Sequence, residues 1–315
     1  MKQKENACFR TTIGGQALIE GIMMRGPKKQ AIVVRGPEGI VTKVEELKLI
    51  KDRYPILGWP LVRGVVNFFA SLIEGVKALM FSAECLPEDE QAAQEDKVDK
   101  WIKEHFEGEK ATKLIITVSV VLGVVLAVAL FMVLPYLVTS LLTGAIGSSV
   151  VKNLIDGLLR ILIFLAYLWL VTRMKDIHRV FEYHGAEHKS IHCYEKGLPL
   201  TVENVRPQPR EHPRCGTSFL FVVMLVSILV FSVVSWENRL LAFVLRLALL
   251  PVVVAVSYEI SRWTGRHDNL LSTILAAPGK LMQKLTVYEP DDSMIECAIQ
   301  ALELVIPEEK GSDTW

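Results

Sequence analysis

The stretch LIITVSVVLGVVLAVALFMVL, residues 114–134, decides how this chain is read. Its 21 residues hold no charge and are mostly aliphatic. As one helix they are long enough to cross a hydrocarbon core about 30 Å thick. The uncharged run continues through Pro135 to Val151, and three further apolar segments follow at 154–171, 218–236 and 240–258. The first of these three carries Asp156 and Arg160, whose four-residue spacing lets them pair along one helix face. The last is interrupted by Arg246 and Pro251. A mean hydropathy of +0.33 over 315 residues fits an integral membrane protein with sizeable polar parts. The expected fold class is a membrane α-helical bundle of about four spans plus an interfacial helix, with cytoplasmic α+β parts.

Basic residues orient such a bundle. The connection 173–216 holds eight Lys and Arg; Arg262, Arg266, Lys280 and Lys284 follow the last span; Lys97, Lys100, Lys103, Lys110 and Lys113 precede the first. The opposite connections offer only Lys152 and Arg239. Both termini and the long central loop are therefore expected in the cytoplasm. Charges inside a bilayer are costly, so Arg160 and Arg246 raise the reading of a small-solute carrier. Snorkelling, or the Asp156–Arg160 pair, accounts for them without transport.

The polar parts flank this bundle. Residues 31–35 and 40–47 read as a β-hairpin around Gly36-Pro37-Glu38-Gly39. The glycine-rich stretch 14–27 just before it suits a strand–turn scaffold, with Glu20 and Arg25 free to pair. Residues 61–81 have helical periodicity and a narrow polar face of Arg63, Asn67, Ser71, Glu74 and Lys77. That pattern suits a helix in the membrane interface or one packed under the transmembrane bundle; a fifth span would carry three charges. Residues 84–113 read as a charged exposed helix or linker, and Asp291 and Asp292 suit the start of a helix over 294–305. The chain divides into 1–55, a β-containing N-terminal region; 56–113, the interfacial helix and linker; 114–172, spans one and two; 173–216, the cytoplasmic loop; 217–258, spans three and four; and 259–315, a cytoplasmic C-terminal region.

Some classes are excluded. Lys and Arg total 35 against 35 Asp and Glu, so bulk charge nominates no nucleic-acid partner; the lipid bilayer and other membrane proteins are the partners expected. Cys8, Cys85, Cys193, Cys215 and Cys297 are odd in number and form no C-x-x-C pair, so reduced thiols are expected rather than a disulfide framework. The first residues lead into no apolar core of signal-peptide length.

Within the central loop lies H-x-x-E-H: His184, Glu187 and His188. Two imidazoles four apart fall on one helix face with a carboxylate between them, the ligand-and-base spacing of the inverted zincin motif. With residues 176–195 as one helix, His184, His188, His192 and Glu195 fall within about an 80° arc. Zinc takes imidazole, thiolate or carboxylate donors, and a catalytic zinc uses three from the protein. His184 and His188 are the first pair. The third is His192, Glu195, or a donor from the segment Glu211-His212-Pro213-Arg214-Cys215-Gly216-Thr217. Glu187 would then be the general base of a metal-dependent hydrolase. A structural zinc clamping the loop to the Cys215 segment, or a metal-free polar network, uses the same residues.

Three stretches, GGQALIEGIMMRGP at 14–27, HGAEHK at 184–189 and HPRCGTSF at 212–219, together resemble the YqhQ-like family of bacterial membrane proteins. So does the ending from Leu285-Thr286 through Glu289-Pro290-Asp291-Asp292 to Glu296 and Ala298. The resemblance runs from about Thr12 to Val305. It implies a domain of unknown function whose members are described as predicted metal-dependent enzymes, with His184, Glu187 and His188 as site positions and Cys215 as a further one. The expectation is a multi-pass protein of the bacterial inner membrane with a divalent metal, zinc by its donors, at the cytoplasmic face. The rival reading is a non-catalytic scaffold or accessory factor for assembling membrane proteins, and a carrier is third.

Overall fold

The computed structural model describes residues 9–47, 53–87, 109–144, 146–234, 238–267, 269–309 and 311–314. Cys8, the tip of the third apolar segment at Trp236 and most of the charged linker expected over 84–113 lie outside them. The chain forms two compact units: Met1–Cys85, Leu168–Val226 and Leu249–Trp315 make the first, and Leu86–Tyr167 with Ser227–Ala248 the second.

The first unit begins with a four-stranded antiparallel meander of β1 (Gly14–Leu18), β2 (Gly21–Arg25), β3 (Lys29–Gly36) and β4 (Gly39–Glu46), in that spatial order. The hairpin expected around Gly36-Pro37-Glu38-Gly39 is its β3–β4 half, with Gly36 opposite Gly39. Gly39 takes φ +130°, which only glycine adopts without strain. The glycine-rich stretch supplies β1 and β2, turning at Glu20 with φ 50°. Strand β3 is buried on both faces: Ala31 and Val33 join one core, Ile32 and Val34 another. That explains why its sequence is a continuous apolar run rather than an alternating one.

Helix α1 (Val62–Glu84) covers the Ile32 side of the sheet through Ala78. Next come α2 (Glu109–Val128), a π-turn at Ala129–Val133, α3 (Leu134–Leu142) and α4 (Ser149–Val171). Helix α5 (Lys175–Glu195) follows the bounds its periodicity predicts, and α6 (Val202–Val205) is a single turn. The chain ends with α7 (Gly216–Phe231), α8 (Arg239–Arg266), α9 (Leu270–Thr286) and α10 (Asp292–Glu303). Asp291 caps α10 by accepting the Met294 N–H at 2.9 Å, as the acidic pair predicts. The main core of this unit packs Tyr183, Ala186 and Ile191 of α5 and Ile295, Ala298 and Leu302 of α10 against the inner face of β2 and β3. The Glu20 carboxylate is taken by Arg179 on α5 instead of by Arg25.

Among the described residues four helical stretches are long and apolar enough to cross a membrane: Val62–Glu84, Thr117–Leu142, Ser149–Val171 and Leu240–Arg266. The last three overlap segments read as spans. The predicted span at 218–236 appears as a helix of 16 residues, about 24 Å long. The first of the four is the segment read as interfacial.

Within the second unit the charges in the apolar helices are paired. Pro135 has no N–H for the carbonyl of Phe131 four residues back, and Arg160 Nε donates to that carbonyl at 2.9 Å. The remaining Arg160 nitrogens reach Ser227 Oγ (3.1 Å) and Asp156 Oδ2 (3.0 Å), so the expected Asp156–Arg160 pair forms. Arg246 shares that Asp156 oxygen at 3.6 Å and donates to Asn153 Oδ1 at 2.6 Å.

Gly185 sits in α5 where a Cβ would fall 2.0 Å from the Tyr288 carbonyl oxygen and 3.2 Å from Pro290 Cδ. Gly185→Ala is expected to destabilise the protein by about 1–3 kcal/mol or more through overpacking, read as a lower thermal midpoint in detergent.

Candidate metal centre

Helix α5 is buried along the face that carries the motif, from Tyr183 through Glu195, so its side chains are held rather than splayed in solvent. His184 and His188 lie one turn apart with ring centroids at 4.4 Å and the rings tilted by 59°. His184 Nδ1 donates to the carbonyl of Thr286, the last residue of α9, at 3.0 Å. His188 Nδ1 donates to the Arg210 carbonyl at 2.5 Å. In the neutral form of either ring these contacts would keep the proton on Nδ1 and leave the lone pair on Nε2. His184 Nε2 lies 3.1 Å from Cys215 Sγ, and one donor atom from each of His184, His188 and Cys215 lies within 4.8 Å of the others.

Cys215 comes from the segment that enters α7. Its sulfur accepts the Thr217 N–H at 3.4 Å and lies 3.1 Å from Thr217 Oγ1. Gln283 of α9 pins that segment by accepting the His212 N–H and donating to the His212 carbonyl, each at 2.8 Å. Burial pushes the Cys215 thiol up, but the His184 and His188 imidazoles beside it hold it well below its ordinary range. Burial likewise pulls His184 down, yet the adjacent thiolate lifts it to about 9. Both shifts run in the direction that favours a thiolate beside a protonated imidazole. A divalent cation entering here would replace that proton, and thiolate with neutral imidazole is a donor set that suits zinc.

Glu187 projects to the same place. Oε1 accepts the Gly15 N–H of β1 at 2.9 Å, while Oε2 is buried without a partner among the described residues. Burial raises this carboxyl above its usual range, against the pull of His184 and His188. A cavity of about 130 Å³ is bounded by the Thr11–Gly15 segment, the three donors, Glu187 and His212.

The residues expected as ligands fall into two groups. His184, His188 and Cys215 form the first; His192 and Glu195 join His212 in a second, also within 4.8 Å. His212 bridges them, its ring 5.5 Å from His188 and 4.6 Å from His192. In the second group Glu195 Oε1 already accepts the Thr11 N–H at 2.9 Å and a hydrogen bond from Arg214. His192 Nε2 donates to the Glu211 carbonyl at 3.0 Å. Burial lowers His192 and holds His212 well below its ordinary range, the latter helped by the neighbouring His188 and Arg214. The guanidinium of Arg214 thus neutralises Glu195 where a cation would otherwise sit. Thr286, Gln283, Gly15 and Thr11 were not singled out from sequence; all act across long chain separations, mostly through backbone groups that leave no pattern.

Arg214 and Glu195 side chains are only 10% and 8% exposed. Arg214→Ala would leave a buried carboxylate without its counter-charge, and is expected to cost about 3–5 kcal/mol in denaturant unfolding.

Residues 59–308 match the family model described as "Protein of unknown function (DUF1385)". Over 297 residues the chain is 31% identical to the "Uncharacterized protein YqhQ" of Bacillus subtilis (strain 168), covering 91% of this chain and 90% of that protein. No solved structure matches. The family match takes in α5, the Cys215 segment and α9, and with the identity to YqhQ it establishes that this chain belongs to the DUF1385, YqhQ-like family.

Proposed function

We propose that the protein is a multi-pass inner-membrane protein with a zinc-type centre at its cytoplasmic face, acting as a metal-dependent hydrolase. The observation that carries this reading is the convergence of His184 Nε2, His188 Nε2 and Cys215 Sγ, with both imidazoles oriented through Nδ1 by backbone carbonyls. Metal-binding histidines are held in this way, because a fixed Nδ1–H sets the tautomer and aims the lone pair. The donor count of three leaves a coordination position for water or substrate. When bound, zinc supplies Lewis acidity and makes water a usable nucleophile near neutral pH.

The remaining groups have roles of their own. Glu187, fixed at Oε1 by Gly15, presents bare Oε2 to the cavity, where it takes a proton from the attacking water and returns it to the leaving group. Ile13 and Ile191 wall the cavity and limit bulk water. Apolar helices of spanning length and the basic loops support the membrane location with both termini in the cytoplasm.

A second reading draws on the His184–Cys215 contact of 3.1 Å: a thiolate at the start of α7, activated by a buried imidazole, is also a nucleophile in its own right.

Metal analysis separates the two. Protein purified without chelators is expected to hold one equivalent of zinc. His184→Ala and Cys215→Ser should each lower metal affinity by more than the 10–100-fold (order of magnitude) typical of an outer-shell change, while Glu187→Gln and His192→Ala keep the metal. In cobalt-substituted protein the thiolate charge-transfer band should persist in Glu187→Gln and His192→Ala and be absent from Cys215→Ser even when excess cobalt fills its site. Metal-free wild-type protein whose Cys215 is alkylated rapidly at neutral pH would overturn the metal reading in favour of the thiol one.

A further inference from the structure

We infer that α1, although long and apolar enough to span, lies flat in the cytoplasmic interface of the bilayer, and that a lipid surface is the partner of its outward face. This rests on the membrane location proposed above.

The first argument is where its two ends are held. Towards its C-terminal end, Ala78 packs with Leu18, Ile32 and Val34 of the sheet. A Cβ on Gly75 would fall 2.5 Å from Gln16 Oε1, and one on Gly36 would fall 3.2 Å from the Cys85 carbonyl oxygen. That end therefore sits on the sheet. If α1 crossed the membrane, its first turn would lie on the opposite side from the sheet. The chain from β4 would then have to cross as well, over a connection containing Lys48, Lys51, Asp52 and Arg53. Four charges in so short a piece are incompatible with hydrocarbon.

The second argument is parity. Strands β2 and β3, helix α5 and helix α10 share one core, so they occupy one side of any membrane. Between β4 and α5 the chain must then cross an even number of times. Among the described residues three helical stretches of spanning length lie there: α1, Thr117–Leu142 and Ser149–Val171. Of these α1 is the least apolar, with a mean hydropathy of 1.5 against 2.8 and 2.1, and its C-terminal end is held on the sheet, so it is the one that stays on the surface.

The third argument is the face it presents. The buried side of α1 is made of the small residues Gly64, Gly75, Ala78 and Ser82. Two of its polar residues reach protein partners: Arg63 to Glu259 at 2.8 Å and Asn67 to the Tyr258 hydroxyl at 2.8 Å. Asn67, Ser71 and Lys77 stay exposed along one edge, and beside them lies an apolar face, with Phe69, Leu72 and Ile73 each more than half exposed (53%, 51% and 55%). Val62, Phe69, Leu72, Ile73 and Leu79 fall within about a 120° arc. This is the reverse of a water-facing helix. Tyr54 and Trp59, 52% and 60% exposed, precede it beside Arg53, and such rings and cations favour the headgroup level. Phe68 reaches Phe219 of α7, ring centroids 6.3 Å apart, so the anchored helix touches the helix that begins beside Cys215. Substrate would then meet the cavity at the membrane surface.

The test uses the full-length protein in phosphatidylethanolamine–phosphatidylglycerol vesicles. A dansyl-bearing amino acid replaces Val62, Phe69, Ile73 or Leu79 in turn, with Leu126 in the Thr117–Leu142 stretch as control. Quenching is compared between lipids carrying a nitroxide at the headgroup and lipids carrying it near the chain end. A helix in the plane gives the same ratio at all four positions, favouring the headgroup quencher, while Leu126 favours the chain-end one. A ratio that reverses along the helix, as about 25 Å of rise between Val62 and Leu79 would require of a span, overturns the inference. So does a quenched Leu126 with all four α1 positions silent. If Leu126 is silent too, the membrane location itself is wrong and the inference falls with it.

Discussion

The arrangement turns on the close approach of α5 to the strand-like segment that follows α9. Gly185 has no side chain to hold the helix away from the Tyr288 carbonyl, and Tyr288 N–H donates to the Phe181 carbonyl at 3.0 Å. That contact brings the end of α9 within reach of His184, whose Nδ1 finds the Thr286 carbonyl. It also fixes the rotation of α5, so that Glu187 reaches β1 and His188 turns toward the Cys215 segment. A bulkier residue at 185 would push the helix outward and part the imidazole from its carbonyl before any donor was altered. The glycine inside H-G-A-E-H is therefore as much a part of the site as the histidines around it.

Electrostatics divide what proximity has assembled. Four histidines, two carboxylates and a thiol lie close together, yet the two donor groups meet different fates. Around Cys215 the imidazoles of His184 and His188 are the groups that favour the thiolate, and a proton shared there is one that a metal can displace. Around Glu195 a permanent cation is already in place, because arginine is not deprotonated in proteins. One charge on the Cys215 segment thus sets the two groups apart: Arg214 pairs with Glu195 in the second, while Cys215, its neighbour in sequence, joins the two histidines of the first. Glu187 belongs to neither, which is what a group meant to carry a proton rather than a ligand requires.

Much of this was legible in advance, and the rest was hidden for definable reasons. The periodicity of residues 176–195 predicts α5 within a residue at its start, since an amphipathic helix writes its own boundaries into the sequence. The same spacing places His192 and Glu195 beside the motif histidines, but it cannot see that Arg214 arrives from outside the helix. Nor can it find Gln283 or Thr286, whose contacts span 71 and 102 residues and rest on a buried amide and a carbonyl. The sheet was half-read: the Gly36–Gly39 turn announced β3 and β4, whereas the glycines of β1 and β2 look like turn residues until Gly15 is seen donating to Glu187.

The arginines in the apolar helices carry the same lesson. From sequence alone a charge in such a segment invites a carrier. In the fold, Arg160 answers a backbone defect: Pro135 withdraws a hydrogen bond from Phe131, and the guanidinium restores it while bonding Asp156 and Ser227. Arg246 meets the same aspartate from another helix. A carbonyl orphaned in an apolar setting costs several kcal/mol (order of magnitude), comparable with the penalty for the charge that repairs it. Proline and arginine are thus two halves of one local solution. The charge left for chemistry lies in the loop, on Cys215, His184 and Glu187, where a cavity meets it.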